Sequence, residues 1–323
     1  MHLRTFALIA IAISALAAPT AYAQNAYPSR PVKFLVPYPP GGGNDILARI
    51  LAEKLTERLG QSFYVENVSG AGGNVGTAQA AKAAPDGQTI LMANNSFVMN
   101  TLLYAKIPFD VRRDFMPTAI MATIPMILCV HPSVPVNSVQ ELIEYIRKTP
   151  DGMEYGTPGT GTPQHLAAEL FAHRSGVNLR HVPYRGTGPA VNDAIAGHIK
   201  LIFGTAASVE QHVKTGTLKA LAVTTAQRSP AFPDLPSIQE SGVKDYDVYL
   251  WYGVLVPAKT SEAINAKLGI EIDAIMALPD VQKKLLDQGY APVSLDRVAF
   301  ARILEDDLAK WGELVKSIGL GEK

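Results

Sequence analysis

The sequence has almost no cysteine and lacks the common nucleotide, hydrolase and zinc motifs. Cys129 is the single cysteine in 323 residues. The chain therefore has no internal disulfide, and the apolar neighbours Ile127, Leu128 and Val130 predict a buried, unreactive thiol. No G-x-x-x-x-G-K-[ST], G-x-S-x-G or H-E-x-x-H motif occurs, and the seven histidines show no metal-like clustering. We expect no cofactor and no metal site.

The chain also lacks an excess of either charge. Twenty-nine Lys and Arg residues balance 29 Asp and Glu residues. Without a basic patch or tail, we expect no nucleic-acid partner and no stable membrane insertion. At 47% hydrophobic residues the chain can build a large core. A mature length of roughly 300 residues is too great for one core of typical size and predicts two domains.

The first 23 residues have the pattern of a cleavable signal peptide. Arg4 provides a positive start, residues 6–18 are apolar, and Ala21-Tyr22-Ala23 places small residues where a signal peptidase cleaves. A transmembrane anchor is the alternative, but the apolar run is shorter than the roughly 20 residues that a bilayer requires. We expect export to the periplasm, with cleavage after Ala23.

Short apolar runs alternate with helical patterns through the rest of the chain, which predicts an α/β fold with a mostly parallel sheet. Residues 120–130 are apolar and long enough to pass from one domain into another, and residues 248–256 read as a returning strand. We therefore predict a first domain part at 24–123, an inserted domain at 124–228, and a return at 229–323 that includes the C-terminal helices. Two crossing strands would form a hinge.

Glycine and small polar residues concentrate in the loops that follow strands. In open parallel sheets these loops bind ligands. Here they span residues 37–45, 66–74 and 93–96 in the first domain, and 156–162, 183–188 and 204–208 in the inserted one. Glycine allows close approach of backbone, and a helix N-terminus attracts anions without a basic side chain. Two such loop sets facing each other would hold one anion.

The candidate ligand-binding residues come from both sets of loops. They are Tyr38, Gly41, Gly42, Gly43, Asn44, Asp45, Ser96, Thr157, Gly159, Thr160, Gly161, Thr162, His165, Tyr184, Gly186, Thr187, Gly188 and Thr205. Each has a purely structural alternative: the glycines could serve tight turns, His165 could be an ordinary capping histidine, and the tyrosines could belong to the core. We interpret Trp251 and Tyr252, in the returning strand, as core residues.

Several of these segments together resemble one family, the extracytoplasmic solute-binding proteins of tripartite tricarboxylate transporters, or Bug proteins. The resemblance covers essentially the whole mature chain. The matching segments are VPYPPGGGND (36–45) with Ala48 and Arg49, VEN (65–67), GAGG (70–73), APDG (84–87), YGTPG (155–159) with residues 165–167, VPYRG (182–186) and LKALAVT (218–224).

The resemblance implies a type II periplasmic-binding fold, in which two sheet domains joined by hinge strands enclose a cleft. It also implies a carboxylated ligand held by backbone N–H groups and ordered waters, and delivery to a membrane permease. The segments 38–45 and 157–162 would form the two binding arms. One departure is Gly204, where many members carry an acidic residue. That glycine favours a simple or aromatic carboxylate over an amino acid.

We therefore expect a non-enzymatic, monomeric receptor that closes around a small mono- or dicarboxylate, aromatic acids included. Two alternatives remain open at this stage. One is a co-sensor whose closed form signals to a membrane kinase. The other is a periplasmic carboxylate-processing enzyme, for which the loops offer only His165 and Asp45 as general bases.

Overall fold

The computed structural model describes residues 27–229 and 232–320; the predicted signal peptide, residues 1–23, lies outside them. The strands are β1 (Val32–Val36), β2 (Phe63–Asn67), β3 (Thr89–Asn94), β4 (Phe115–Val130), β5 (Met153–Thr157), β6 (Leu179–Pro183), β7 (Leu201–Thr205), β8 (Lys219–Val223), β9 (Tyr249–Pro257) and β10 (Ala291–Leu295). The helices are α1 (Gly43–Leu59), α2 (Asn74–Ala81), α3 (Ser96–Leu103), α4 (Val139–Lys148), α5 (Pro163–Ser175), α6 (Thr187–Ala196), α7 (Ala206–Lys214), α8 (Glu262–Met276), α9 (Pro279–Leu286) and α10 (Arg297–Ser317).

The strands follow the order β2-β1-β3-β9-β4-β7-β5-β6, and β8 and β10 each pair with β4. β1 is parallel to β2 and β3, and β5 is parallel to β6 and β7. We call β2, β1, β3, β9, β10 and the first part of β4 the first sheet. The last part of β4 with β7, β5, β6 and β8 is the second sheet. The α/β prediction is confirmed.

Strand β4 belongs to both sheets and brings their ligand edges together. β3 ends at Asn94, which is opposite Tyr252 of β9, and Tyr252 is in turn opposite Ala122 of β4. β7 ends at Thr205, which is opposite Met126 of β4. Four residues of strand cover about 13 Å. The carboxyl ends of the parallel strands in both sheets therefore face the same short segment of β4.

Glycine and hydroxyl residues set the ends of the helices that border this segment. Helix α1 follows Gly42, buries a stripe that includes Leu47, Leu51 and Leu55, and ends at the left-handed Gly60. Helix α5 starts with the Thr162 cap followed by Pro163, as its sequence predicts.

Several element boundaries differ from the sequence-based prediction. The apolar patterns of the sequence predict helices at 45–59 and 189–196, whereas α1 begins at Gly43 and α6 at Thr187. Each extension consists of two residues, with glycine of low helix propensity in both; in α1 burial of Asn44 and its bond to the Met92 carbonyl offset that preference. Helix α3 and strand β10 were not predicted. The β10 sequence Ala-Pro-Val-Ser-Leu has no clear alternation of apolar and polar residues. Its extended conformation is held by pairing with β4.

The C-terminal helix α10 anchors the returning strand β9. The indole N–H of Trp251 donates to Asp307 Oδ2 at 2.8 Å, and that of Trp311 donates to Asp307 Oδ1 at 3.1 Å. Burial raises the pKa of Asp307, although Lys310 and the two indoles oppose the shift.

None of the helices in residues 27–229 and 232–320 is long and apolar enough to cross a bilayer. Cys129 is fully buried in β4, and burial raises its pKa.

Candidate ligand-binding site

The loops at the edge of the first sheet are joined by a network of amide side chains. The Tyr38 hydroxyl donates to Asn94 Oδ1 at 2.9 Å, and Asn94 Nδ2 donates to Asn44 Oδ1 at 2.9 Å. Asn44 Nδ2 in turn donates to the Met92 carbonyl, and the Ser96 N–H donates to Asn94 Oδ1. Burial raises the pKa of Tyr38 to about 12, so this hydroxyl stays a donor at neutral pH.

Asp45 fixes the glycine-rich loop from inside. Its carboxylate accepts from the Gly41 N–H at 2.9 Å, from Asn67 Nδ2 at 2.9 Å and from two guanidinium nitrogens of Arg49, each at 2.9 Å. Burial opposes ionisation, but the bonds from Arg49, Gly41 and Asn67 outweigh it and hold the pKa at about 2. The carboxylate is thus fully engaged within the protein, and Gly41 and Gly42 are left exposed.

The loops of the second sheet are joined mainly through backbone groups. The Tyr184 N–H donates to the Thr157 carbonyl at 2.9 Å, and the Gly186 N–H donates to the Pro158 carbonyl at 3.0 Å. Thr162 donates its hydroxyl to the Gly159 carbonyl at 2.8 Å and caps α5. Segments 157–162 and 183–188, which are far apart in sequence, therefore form one surface.

Two stacked imidazoles support this surface from below. The rings of His165 and His181 are 3.9 Å apart, and Tyr155 stacks on His181 at 5.2 Å. His165 Nδ1 accepts from the Gly161 N–H at 3.1 Å, while its Nε2 lies 3.7 Å from Glu169 Oε1. Burial, helped by the neighbouring His181, lowers the pKa of His165 to about 3. His165 is therefore neutral, and one ring nitrogen is occupied by the loop.

The two loop surfaces meet at defined points. A Cβ placed on Gly161 would lie 2.5 Å from Leu103 Cδ1, at the end of α3. Gly161 also has a φ of 76°, which favours glycine. On the other side, a Cβ on Gly289 would lie 3.5 Å from the Ala207 nitrogen in the first turn of α7. Both contacts join an element of the first sheet to one of the second.

The predicted residues divide by exposure. Four are exposed: Gly41, Gly42, Thr160 and Gly188. Ten are half-buried: Tyr38, Gly43, Ser96, Gly159, Gly161, Thr162, Tyr184, Gly186, Thr187 and Thr205. Four are buried with their side chains bonded internally: Asn44, Asp45, Thr157 and His165. The Tyr184 hydroxyl is also engaged, since it donates to Asp193 Oδ2 at 2.7 Å.

Backbone N–H groups at the helix starts are available as donors at this edge. The first hydrogen bond of α1 runs from the Ile46 N–H to the Gly42 carbonyl, and no side chain caps the helix. Helices α6 and α7, which follow Gly186 and Thr205, also lack a side-chain cap. Uncapped first turns offer N–H groups and the positive end of the helix dipole, which suits a carboxylate.

Tyr252 belongs to the hydrophobic core, as its sequence context indicated, and it also lies at this edge. It is 6% exposed and opposite Asn94, the last residue of β3. Its neighbour on the other face of β9, Trp251, is the residue bonded to Asp307. Because β9 runs antiparallel to β3, its first residues rather than its last ones reach the ligand edge. The sequence alone does not give the direction of β9, so the place of Tyr252 at the ligand edge could not be predicted from it.

Gly204, in strand β7, packs closely against Val209 of the following helix α7. A Cβ at this position would lie 2.2 Å from Val209 Cγ1. An acidic side chain there would require Val209 to move.

Among the residues that the structure describes, no group of three His, Cys, Asp or Glu side chains is placed to hold a metal.

Two α/β sheets that share a strand and turn their loop edges toward each other define the periplasmic binding proteins. Residues 47–320 match the model of the family described as tripartite tricarboxylate transporter family receptor. The chain belongs to this family, TctC, whose members are solute-binding receptors.

Relatives and solved structures agree with this assignment. BugT from Bordetella pertussis strain Tohama I is 32% identical over 313 residues, which are 96% of this chain and 95% of BugT. Rpa4515 from R. palustris, solved with adipate, is 34% identical with a TM-score of 0.78 over 91% of this chain and 98% of that one. The periplasmic binding protein BugD is 34% identical with a TM-score of 0.75, covering 92% and 100%. MatC from Rhodopseudomonas palustris, solved with malate, is 27% identical with a TM-score of 0.73, covering 90% and 100%.

Proposed function

We propose that this receptor captures a small mono- or dicarboxylate between its two loop surfaces. The observation that carries the proposal is the uncapped N-terminus of α1 at exposed Gly41 and Gly42, directly across the shared strand from the loops of the second sheet. His165, whose pKa is lowered by burial to about 3, and Asp45, whose carboxylate is bonded internally with a pKa of about 2, are both weak general bases. The adipate and malate of two family members have the same chemistry.

The binding would require the sheets to act as two domains, at 24–123 with 229–323 and at 124–228. β4 changes its partners from β9 to β7 and β8 between Pro125 and Met126. At the same level, the Met126 N–H donates to Thr224 Oγ1 and the Val248 N–H donates to the Thr224 carbonyl. These crossing segments are the proposed hinge, and closure about them would bury the carboxylate where water competes less.

Delivery to a membrane permease of a tripartite tricarboxylate transporter is the proposed next step. The family description supports it. The proposed location is the periplasm, which agrees with BugD and with the sequence of residues 1–23. The closed receptor would be the form that the permease recognises, and we propose that it acts as a monomer.

Isothermal calorimetry with charged and uncharged versions of the same compound tests the proposal. We expect the purified protein to bind at least one of adipate, succinate and benzoate, and to ignore the corresponding amide, adipamide, succinamide or benzamide. Tight binding of an amide, or no binding of any acid, would contradict the proposal. Native mass spectrometry of the protein as purified would identify any acid it already carries.

A matched pair of variants locates the site. A Cβ on Gly42 or on Gly269 would have its nearest contact at 3.8 Å, so both positions accept a first side-chain atom. Gly42→Leu should abolish acid binding by covering the start of α1, whereas Gly269→Leu, in α8, should leave it intact. Circular dichroism should be native for both. Normal binding by Gly42→Leu would remove this helix end from the site.

A further inference from the structure

Tyr252 is a buried residue whose side chain lies against the start of α1. The residue is 6% exposed, yet no hydrogen bond of its hydroxyl occurs within residues 27–229 and 232–320. By comparison, fully buried Tyr246 donates to the Ala167 carbonyl and half-buried Tyr38 donates to Asn94. The fully enclosed, unpaired polar side-chain atoms of the described chain are Thr260 Oγ1 and Gln288 Oε1. The Tyr252 oxygen is not one of them, so it keeps some open surface.

This hydroxyl lies against the first residue of α1. A Cβ placed on Gly43 would lie 2.5 Å from the Tyr252 oxygen and 2.8 Å from its Cζ. Gly43 does not have a left-handed φ, so glycine is needed there because of space. The N–H groups of Gly43 and Asn44 have no acceptor in the described chain, since the helix is uncapped and its first internal donor is Ile46.

The position of the hydroxyl is fixed by its surroundings. The Tyr252 ring packs edge-to-face on Tyr290 at 5.6 Å. The next residue back, Trp251, is bonded to Asp307 on the opposite face of β9. Burial raises the pKa of Tyr252, so the group is a protonated donor at neutral pH. A fixed donor beside unpaired N–H groups is arranged for a negatively charged oxygen.

We propose that the Tyr252 hydroxyl donates a hydrogen bond directly to the carboxylate bound at the start of α1. This inference rests on the proposed function and adds a side-chain contact to a site otherwise made of backbone donors. It places a ligand contact on the returning strand β9, beside the start of α1. A ligand oxygen would give this hydroxyl the acceptor that the described chain does not supply.

Tyr252→Phe tests the inference, because it removes only the oxygen. We expect the affinity for the tightest-binding acid among adipate, succinate and benzoate to fall about tenfold or more, as for a lost bond to a charged group. The thermal midpoint of the ligand-free protein should not fall, since no internal bond is lost. Tyr27→Phe is the control: it breaks the 2.9 Å bond to the Gly87 carbonyl, so it should lower the midpoint without changing affinity.

The outcomes separate the inference from the function on which it rests. Wild-type affinity in Tyr252→Phe, with acid binding by the wild type intact, overturns the direct contact and leaves the receptor function standing. A weaker affinity with a matching drop in the ligand-free midpoint overturns it too, since that pattern means a structural role. If the wild type binds none of the three acids, the function and the inference both fail.

Discussion

Several polar side chains in the binding loops of this receptor hydrogen-bond to loop backbone groups and hold the loops in place. Asp45 illustrates this: its carboxylate holds the Gly41 N–H and Arg49, and it presents no free oxygen to a ligand. His165 does the same for Gly161. The sequence located both residues in binding loops, but it could not say which way their polar atoms point. Residue type and spacing indicate where a loop lies, whereas side-chain direction depends on partners such as Asn67 that are distant in sequence.

The low pKa of His165 predicts a pH dependence of stability. The folded pKa is about 3 and that of an unfolded histidine is about 6.5. Only the unfolded chain gains this proton as the pH falls through 6.5. The contribution of His165 is therefore complete above pH 6.5 and is lost as the pH falls toward 3, by about 2–3 kcal/mol at pH 4.5.

His165→Phe should make this dependence shallower between pH 7 and 4.5. The phenyl ring can still stack on His181 but cannot be protonated. At pH 7 the variant should be about 1–3 kcal/mol less stable, because the Gly161 N–H loses its acceptor. Urea unfolding at several pH values measures both effects. An unchanged slope would show that His165 is not kept neutral by the fold.

Among the elements, helix α5 is flanked by two glycines with left-handed backbone that differ in their surroundings. Gly161 precedes the helix with a φ of 76° and faces Leu103, whereas Gly176 ends it with a φ of 63° and no atom within 4 Å of a Cβ. Alanine at either position should cost about 1–2 kcal/mol of stability through backbone strain. Only at Gly161 would it also obstruct the approach of the two sheets.

Gly161→Ala should therefore weaken carboxylate binding, and Gly176→Ala should not. Calorimetry with the acid that the wild type binds gives the affinity, and urea unfolding gives the stability. Equal affinities for the two variants would mean that the Leu103 contact has no part in the bound state.

The sequence predicted most elements because their signals are local. Caps such as Thr162 and stop signals such as Gly60 act within one turn of a helix. Strand β10 was missed because its extended conformation depends on pairing with Thr123 and Ile120 of β4, about 170 residues earlier in the chain. Tyr252 was correctly assigned to the core, but its place at the ligand edge was missed, since an apolar strand does not reveal its direction in the sheet.

At the scale of the whole molecule, the predicted crossing strand proved longer than its apolar run suggested. The prediction covered residues 120–130, and β4 starts at Phe115. That the two ligand edges lie four residues apart along this strand could not be derived from sequence, because it depends on the register of β4 with β7 and β9.

Closure about these crossing segments should be visible in solution. Adding a saturating amount of the bound acid should reduce the radius of gyration in small-angle X-ray scattering, because the two sheets rotate together over the ligand. The corresponding amide is the control and should leave the curve unchanged. An identical radius with and without the acid would mean that binding occurs without domain motion.

The enclosed thiol of Cys129 has a practical consequence. Since it is the only sulfhydryl of the chain and is sealed inside β4, maleimide dyes should find no native target on the folded protein. A cysteine introduced at exposed Thr160 would then carry the sole fluorophore, next to the cleft. The receptor is in this respect already prepared for use as an optical reporter of organic acids.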